Sequence, residues 1–327
     1  MKTMRFTWLF LVLLLTLGVA LWVGCESKEG APSSPLEKQQ QVLFERTLRT
    51  SGAGGVHDLL VVALFTGQVF RYDGATGAFV EVFTSGEGLE WAEDLTFGPD
   101  GNLYVGGGLS DNIVRYDGET GAFIDEFVRA GYGHLKEAAT LMFGPDDMLY
   151  VSSHHNMRVL RYDGTSGDFF GRFTSGQQPG DPIGLAFGAD GHLYVACSTR
   201  DNILRYDGTT GKFIDVFVSR GSGGLDVPGG MGFGPDGNLY VCSLETHEIL
   251  RYDAATGEFI DAFVSAGSGG LNRPIDLTFG PDGNLYVTSR RTNEVLRYDG
   301  TTGAFMDVFV SAGSGGLDAP FGLVFMP

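Results

Sequence analysis

Short apolar runs separated by Gly-containing turns fill the chain from about residue 55 to its end. In one stretch, residues 274–279 are PIDLTF, 284–289 NLYVTS, 294–299 EVLRYD and 304–310 AFMDVFV. The intervening GPDG and GTTG sequences are typical of tight turns, because Pro fixes φ and Gly accepts a positive φ. The pattern predicts four antiparallel strands, and the apolar faces of LYV indicate a sheet packed between other sheets.

The four-strand pattern repeats along the chain. The tripeptide Arg-Tyr-Asp begins at Arg71, Arg115, Arg161, Arg205, Arg251 and Arg297. These starts are 44, 46, 44, 46 and 46 residues apart. Such a period, with four short strands in each unit, is typical of a β-propeller blade.

The two ends of the repeat array are incomplete and complement each other. Residues 58–64, 68–73 and 79–83 supply the second to fourth strands of a unit, and residues 320–325 supply an isolated first strand. Pairing them completes a blade and removes the edges that an open array would expose. The sequence therefore predicts an all-β, six-bladed β-propeller of four-stranded blades over residues 55–327. The ring is closed by the C-terminal strand pairing with N-terminal strands.

The first 54 residues have a different character. Lys2 and Arg5 precede an apolar run over residues 6–24, which is the pattern of an export signal. Gly24 before Cys25 resembles a bacterial lipobox with a lipidated Cys25, and an uncleaved membrane anchor is the alternative. Residues 25–54 indicate a tether, with a short helix predicted over 35–48 by a capping box at 34–37. We expect an exported protein, anchored to a membrane in the cell envelope.

Charge and cysteine content narrow the choice of partners and crosslinks. Lys and Arg total 22 against 40 Asp and Glu, and the net charge of −18 argues against nucleic acid because phosphates would be repelled. Cys197 and Cys242 end two second strands one register apart, so they point to opposite sheet faces. A disulfide between neighbouring blades is allowed, but two buried thiols are favoured.

The segment PIDLTFGPDGNLYVTS, followed by NEVLRYD, resembles the NHL repeat and more broadly the six-bladed TolB-like propellers. The resemblance covers nearly all of the chain after the tether, and it implies the fold. It implies no single function, because the superfamily includes sensor domains, scaffolds, lactonases of the gluconolactonase type, streptogramin lyases and peptide-amidating lyases.

The two ends of the predicted ring differ in sequence variation. The GPDG and DGTTG turns share one end, the constant face, and are nearly identical between repeats. Connections after the second and fourth strands share the other end, the variable face, and differ between repeats. The repeated Arg-Tyr-Asp is interpreted as structural: an Arg paired with a carboxylate and an Asp capping the next turn.

Residues that break the repeat are the candidate ligand-binding positions. Asp94 and Asp276 share one position of the first strand and are expected to face the axis on either side of the completed blade. The candidates on the variable face are His154, His155, Arg200, Glu245, His247 and Arg290. Several His with a carboxylate would suit Zn²⁺ or a similar ion, whereas the alternative is solvated loop residues. A divalent metal, Ca²⁺ or Zn²⁺, is therefore a possible cofactor. The sequence predicts no cofactor firmly.

The sequence favours a membrane-tethered binding module, a scaffold or sensor for a protein, peptide or glycan. Neither a Cys–His pair nor a Ser-His-Asp order stands out, and uniform loops in the last three repeats leave few positions for a tailored catalytic pocket. The alternative is a metal-dependent enzyme resembling lactonases or lyases. Its axial ion would lie among Asp94, Asp276, His154, Glu245 and His247. A purely architectural module is the third hypothesis.

Overall fold

The computed structural model describes residues 57–327. The predicted signal segment (1–24), the tether (25–54) and its helix (35–48) all lie outside these residues. The described residues form 24 strands in six separate four-stranded antiparallel sheets. In this part of the chain no helix is long and apolar enough to span a bilayer.

Each sheet is one blade, and blades are numbered from the N-terminus. Blade 1 begins with β1 (Leu59–Ala63), β2 (Gln68–Tyr72) and β3 (Phe79–Thr84). Blade 2 contains β4 (Ala92–Phe97), β5 (Leu103–Gly107), β6 (Asn112–Tyr116) and β7 (Phe123–Val128). Blade 3 contains β8 (Ala138–Phe143), β9 (Leu149–Ser153), β10 (Arg158–Tyr162) and β11 (Phe169–Arg172).

The remaining strands follow in the same order. Blade 4 contains β12 (Pro182–Phe187), β13 (Leu193–Cys197), β14 (Asn202–Tyr206) and β15 (Phe213–Val218). Blade 5 contains β16 (Pro228–Phe233), β17 (Leu239–Ser243), β18 (Glu248–Tyr252) and β19 (Phe259–Val264). Blade 6 contains β20 (Pro274–Phe279), β21 (Leu285–Ser289), β22 (Glu294–Tyr298) and β23 (Phe305–Val310), and β24 (Pro320–Phe325) completes blade 1. Short 3₁₀ turns occupy Tyr132–His134, His154–Asn156, Ser222–Gly224, Ser268–Gly270 and Ser314–Gly316.

Strand β24 closes the ring. It pairs antiparallel with β1, with Leu59 opposite Phe325 and Val61 opposite Leu323. The innermost strands of the blades contact one another in sequence, and β24 contacts both β20 and β4. The predicted six-bladed all-β propeller, with a first blade assembled from both ends of the array, is therefore confirmed.

Aromatic side chains fill the interfaces between blades. The Tyr286 ring, from the LYV of β21, packs edge-on against Phe309 and Phe325 with centroids 4.9 Å apart in each pair. Four other blades place an equivalent buried Tyr between the same two kinds of Phe: Tyr104, Tyr150, Tyr194 and Tyr240. Each such pair adds about 0.5–1.5 kcal/mol beyond its apolar burial. The blades are thus held face to face, as the two apolar faces of LYV predict.

The Arg-Tyr-Asp repeat is structural, as interpreted from the sequence. Arg297 donates from Nη2 to Asp307 on the neighbouring strand at 2.5 Å. Tyr298 donates its hydroxyl to the carbonyl of Ser268, in the connection from blade 5 to blade 6, at 2.8 Å. Asp299 accepts the backbone N–H of Thr302 at 2.8 Å, which caps the following turn. Cys197 and Cys242 are both free, buried thiols, and burial raises the pKa of Cys197 to about 12.

Candidate functional site

A cavity of about 260 Å³ lies at the mouth of the central channel on the variable face. We call it the axial pocket. All fourteen residues that line it occupy one of three positions that recur in every blade. The first position follows the second strand: Leu64, Gly108, His154, Ser198, Leu244 and Arg290. The second precedes the first strand: Trp91, Glu137, Asp181, Val227, Arg273 and Ala319. The third is the second residue of the first strand: Glu93, Ala139, Ile183, Gly229, Ile275 and Phe321.

The backbone around the pocket is the same in every blade. The residue before the first strand has a positive φ in all six blades, for example 56° at Trp91 and 59° at Arg273. Its carbonyl accepts the N–H of the residue after the second strand, from Gly108 to Trp91 at 2.7 Å and from Arg290 to Arg273 at 3.3 Å. A left-handed conformation costs a non-Gly residue about 1–2 kcal/mol, so its repetition marks a feature that the fold enforces. The backbone therefore fixes the shape of the pocket, and the side chains set its chemistry.

Side chains from the turn between the second and third strands hold this backbone across blade junctions. Asp111, Asp201 and Asn293 accept the N–H of the left-handed residue in the next blade through Oδ1 at 2.8, 3.1 and 3.0 Å. His247 does the same through Nδ1, which accepts the N–H of Arg273 at 3.0 Å. The predicted site residue His247 thus occupies a structural position that Asp or Asn fills in three other blades.

One side of the axial pocket is acidic. Glu93 is only 4% exposed, and its pKa lies well above the usual range because of burial and the adjacent Glu137 carboxylate. Gly108 leaves room for this carboxylate, since a Cβ there would lie 2.4 Å from Oε1 of Glu93. Glu137 also pairs with the Nδ1 of His155, whose side chain is 70% exposed. The buried Glu93 carboxyl therefore holds a proton more readily than an exposed carboxyl does.

Two arginines, Arg273 and Arg290, also line the pocket. Arg273 pairs through Nη2 with Oε1 of Glu245 at 3.0 Å. Arg290 lies over the Phe321 ring, 5.6 Å from its centroid, and among residues 57–327 no carboxylate is within salt-bridge distance of it. Burial, and then repulsion from Arg273, lowers the pKa of Arg290. Its guanidinium therefore keeps free donors that face a partly apolar cavity.

Asp94 and Asp276 lie below the pocket, on the innermost strands that flank β24. Asp94 accepts the N–H of Leu141 at 2.8 Å, and Asp276 accepts the N–H of Leu323 at 3.3 Å. Burial raises the pKa of Asp276 to about 7. The pKa of Asp94 is raised well above its usual range by burial and by Asp276. The equivalent residue in blade 1 is Gly322, where a Cβ would lie 2.5 Å from Oδ1 of Asp94.

The eight predicted site residues are thus distributed over three levels. His154 and Arg290 line the axial pocket, and Asp94 and Asp276 lie beneath it. Glu245, His247 and His155 contact pocket residues without lining it. Arg200 is exposed and donates from Nη1 to the carbonyl of Gln178 at 2.9 Å, away from the pocket.

Sequence reasoning missed five charged or aromatic residues of the pocket. They are Trp91, Glu93, Glu137, Arg273 and Phe321. All lie four or six residues before the Phe that ends the first strand. Aligning the repeats at these two positions would have revealed them, because each position holds a different residue in nearly every blade.

The candidate metal ligands among residues 57–327 are not clustered. Within residues 57–327, no three His, Cys, Asp or Glu side chains are placed together so that they could hold a metal ion. The predicted His154 and Glu245 belong to blades 3 and 5, and Glu245 is paired with Arg273. We therefore derive no chemistry through a metal at this site.

Comparisons with known proteins identify the fold. No family profile and no curated protein sequence match the chain. A structure titled as a nidogen/laminin complex superposes with a TM-score of 0.64 at 19% identity, covering 83% of this chain and 98% of that chain. A catalytically inactive virginiamycin B lyase from Staphylococcus aureus with quinupristin gives 0.55 at 16% identity, covering 77% and 84%. A streptogramin B lyase gives 0.54 at 16% identity, covering 78% and 75%. The chain is a six-bladed β-propeller similar to these structures.

Proposed function

We propose that this protein is a binding module that holds a peptide segment in the axial pocket. One observation carries the proposal: every lining residue occupies a position that recurs in all blades but differs in side chain between them. The constant face keeps nearly the same turns throughout. In the pocket, the side chains differ between blades while the backbone that carries them stays the same. This arrangement is typical of a recognition site on a rigid scaffold.

The charges of the pocket define the chemistry of the peptide. The free guanidinium of Arg290 favours a carboxylate, which it can bind through two parallel hydrogen bonds. Phe321, Ile275 and Trp91, which also line the pocket, favour an apolar side chain. Glu93 and Glu137 can receive a backbone N–H or a cationic group. The preferred segment therefore carries an acidic residue next to an apolar one.

A protein partner is consistent with the size of the pocket and with the comparisons. A volume of about 260 Å³ admits a few side chains, not a folded domain. One of the similar structures is titled as a complex between two proteins. The metal-dependent lactonase or lyase hypothesis has less support, because its five candidate side chains are spread over three levels of the ring.

We also infer export and membrane attachment, on the sequence alone. The basic residues, apolar run and Gly24–Cys25 pair support cleavage before Cys25 and lipidation of its thiol. Mass spectrometry of the mature N-terminal peptide from an expressing bacterium tests this. A diacylated Cys25 is the expected result, and an unmodified N-terminus at Met1 would contradict it.

A random peptide library displayed on phage tests the binding proposal. Selection on the immobilised full chain is expected to enrich peptides with an acidic residue beside an apolar one. A selected peptide is then synthesised and titrated calorimetrically against the wild type and Arg290→Ala. Loss of the charged hydrogen bonds is expected to weaken binding about ten-fold or more.

Arg220→Ala is the matched control. Arg220 is 77% exposed, pairs with Asp201 at 3.5 Å and does not line the pocket. Its substitution removes the same charge from the variable face and should leave the dissociation constant unchanged. Equal binding of the peptide to Arg290→Ala, or equal weakening by both substitutions, would contradict the proposal.

A further inference from the structure

A second site lies at the outer rim of the ring, away from the axial pocket. In blades 2, 4, 5 and 6, the Arg of Arg-Tyr-Asp binds an Asp on the outermost strand through two parallel hydrogen bonds. In blade 2, Arg115 donates from Nε to Asp125 at 3.1 Å and from Nη2 at 2.6 Å. In blade 5, Arg251 donates to Asp261 at 3.1 and 2.6 Å. In blade 1, Arg71 is paired with Asp58 and Glu81.

Blade 3 lacks this carboxylate. Arg161 is paired in register with Gly171, at the position where Arg115 faces Asp125. The only carboxylate near Arg161 within residues 57–327 is Asp146, 3.5 Å from Nη1. Its equivalents accompany the other arginines in addition to the Asp on the outermost strand, for example Asp236 beside Arg251. The face of the guanidinium formed by Nε and Nη2 is therefore without its usual acceptor.

The Nε and Nη2 side of Arg161 is largely enclosed but adjoins a solvent-accessible cavity. Arg161 is 19% exposed, the same fraction as the paired Arg115, and its buried Nε has no hydrogen-bond partner. A cavity of about 120 Å³ adjoins it, lined also by Arg172 and by the hydroxyl-bearing Thr209 and Thr210 of blade 4. A buried guanidinium donor without an acceptor is unfavourable, so an external acceptor gains from filling the position.

We propose that Arg161 binds a carboxylate supplied from outside the chain. The four sister blades show which group this guanidinium accommodates, a planar carboxylate at about hydrogen-bonding distance from both Nε and Nη2. Arg172 adds a second positive charge at the opening. Phe170 lies over the guanidinium, 4.4 Å from the ring centroid, and is 65% exposed, so it forms an apolar lid beside the charged group.

Two sources share this chemistry: a free small carboxylate and the side chain of Asp or Glu in a peptide. The volume of the cavity is sufficient for the carboxylate and one or two attached carbons. Thr209 and Thr210, which are exposed to solvent, would then contact the rest of the molecule that carries the carboxylate.

Thermal unfolding of the full chain tests the proposal, with sodium acetate as the probe and sodium chloride at equal ionic strength as the reference. Acetate is expected to raise Tm saturably, because a ligand that binds only the native state stabilises it. Arg161→Gln should abolish this response. Arg251→Gln is the matched control, since Asp261 already fills that position, and it should retain the response.

Gly171→Asp keeps Arg161 and supplies an internal carboxylate. A Cβ at residue 171 meets no atom within 4 Å, although φ of 149° favours glycine there. The Tm of this variant should not rise with acetate, even if its Tm without acetate differs from that of the wild type. In the wild type, the Arg161 Nε–H resonance in a ¹⁵N spectrum should shift with acetate at the concentration that raises Tm.

A blocked Gly-Asp-Gly peptide and inorganic phosphate are the further probes. Tighter binding of the peptide than of acetate would support a protein source, and binding of acetate alone a free carboxylate. A response to phosphate without one to acetate would overturn the carboxylate assignment. The proposal also fails if no probe differs from chloride, or if Arg161→Gln retains the full response.

Discussion

The buried carboxyl of Asp276 is expected to make the ring less stable as the pH rises. Burial raises its pKa from 3.8 to about 7, while in the unfolded chain the carboxyl has its ordinary pKa. Between these two values the native state binds a proton that the unfolded state has lost, so the free energy of unfolding falls with increasing pH. Below pH 4 the carboxyl is protonated in both states, and the penalty disappears.

The size of the effect on the free energy of unfolding follows from the raised pKa of Asp276. A difference of about three pKa units corresponds to about 4 kcal/mol at 1.36 kcal/mol per unit. This is an upper limit, because Asp276 is only partly buried. Asp276→Asn is neutral at every pH and retains an oxygen that can accept the N–H of Leu323. It should therefore be more stable than the wild type at pH 8, by up to about 4 kcal/mol.

Urea denaturation of the wild type and Asp276→Asn between pH 4.5 and 8.5 measures the effect. The wild type should lose stability across this range, and the substitution should flatten the dependence. Asp299→Asn is the control, because hydrogen bonds from Thr302 lower the pKa of this exposed turn carboxylate and its contribution has the opposite sign. An unchanged slope in Asp276→Asn, or lower stability than the wild type at pH 8, would refute the reasoning.

Two further predictions concern a contact between neighbouring blades and the strand that closes the ring. His247→Ala should lower the free energy of unfolding by about 1 kcal/mol, because the N–H of Arg273 loses its acceptor, whereas His247→Asn should retain it as Asn293 does for the next blade. Urea denaturation checks this, and equal loss in both variants would contradict the role. Leu323→Ala should cost about 2–5 kcal/mol, since Leu323 is 4% exposed at the closing strand. A change below 1 kcal/mol in the same assay would argue against closure through β24.

The fold could be predicted from the sequence because each blade repeats the same local signals. The strand ends of blade 6 lie within a residue of those predicted, as in β20 at Pro274–Phe279. Isolated β24 could be assigned to blade 1 because it lacked partners of its own. The turn residues, the repeat period and the apolar alternation all indicate a propeller of four-stranded blades.

The site was predicted less completely, for a physical reason. His247 stood out as a His in a variable loop, but its contact with Arg273 depends on the left-handed backbone of the next blade. Glu93 precedes Asp94 on β4, and only a comparison of its position across the six repeats marks it as a residue at the mouth of the channel. Contacts across blade junctions decide these roles, and no local pattern encodes them.

Methyl NMR spectra of the isoleucine side chains give the most direct test of the axial pocket as the binding site. Ile183 and Ile275 line the pocket, whereas Ile124, Ile214 and Ile260 are exposed on the outermost strands. Titration with a peptide selected from the library should shift the methyl signals of Ile183 and Ile275 and leave the three outer signals in place. Shifts at the outer isoleucines, with Ile183 and Ile275 unchanged at saturation, would contradict the account.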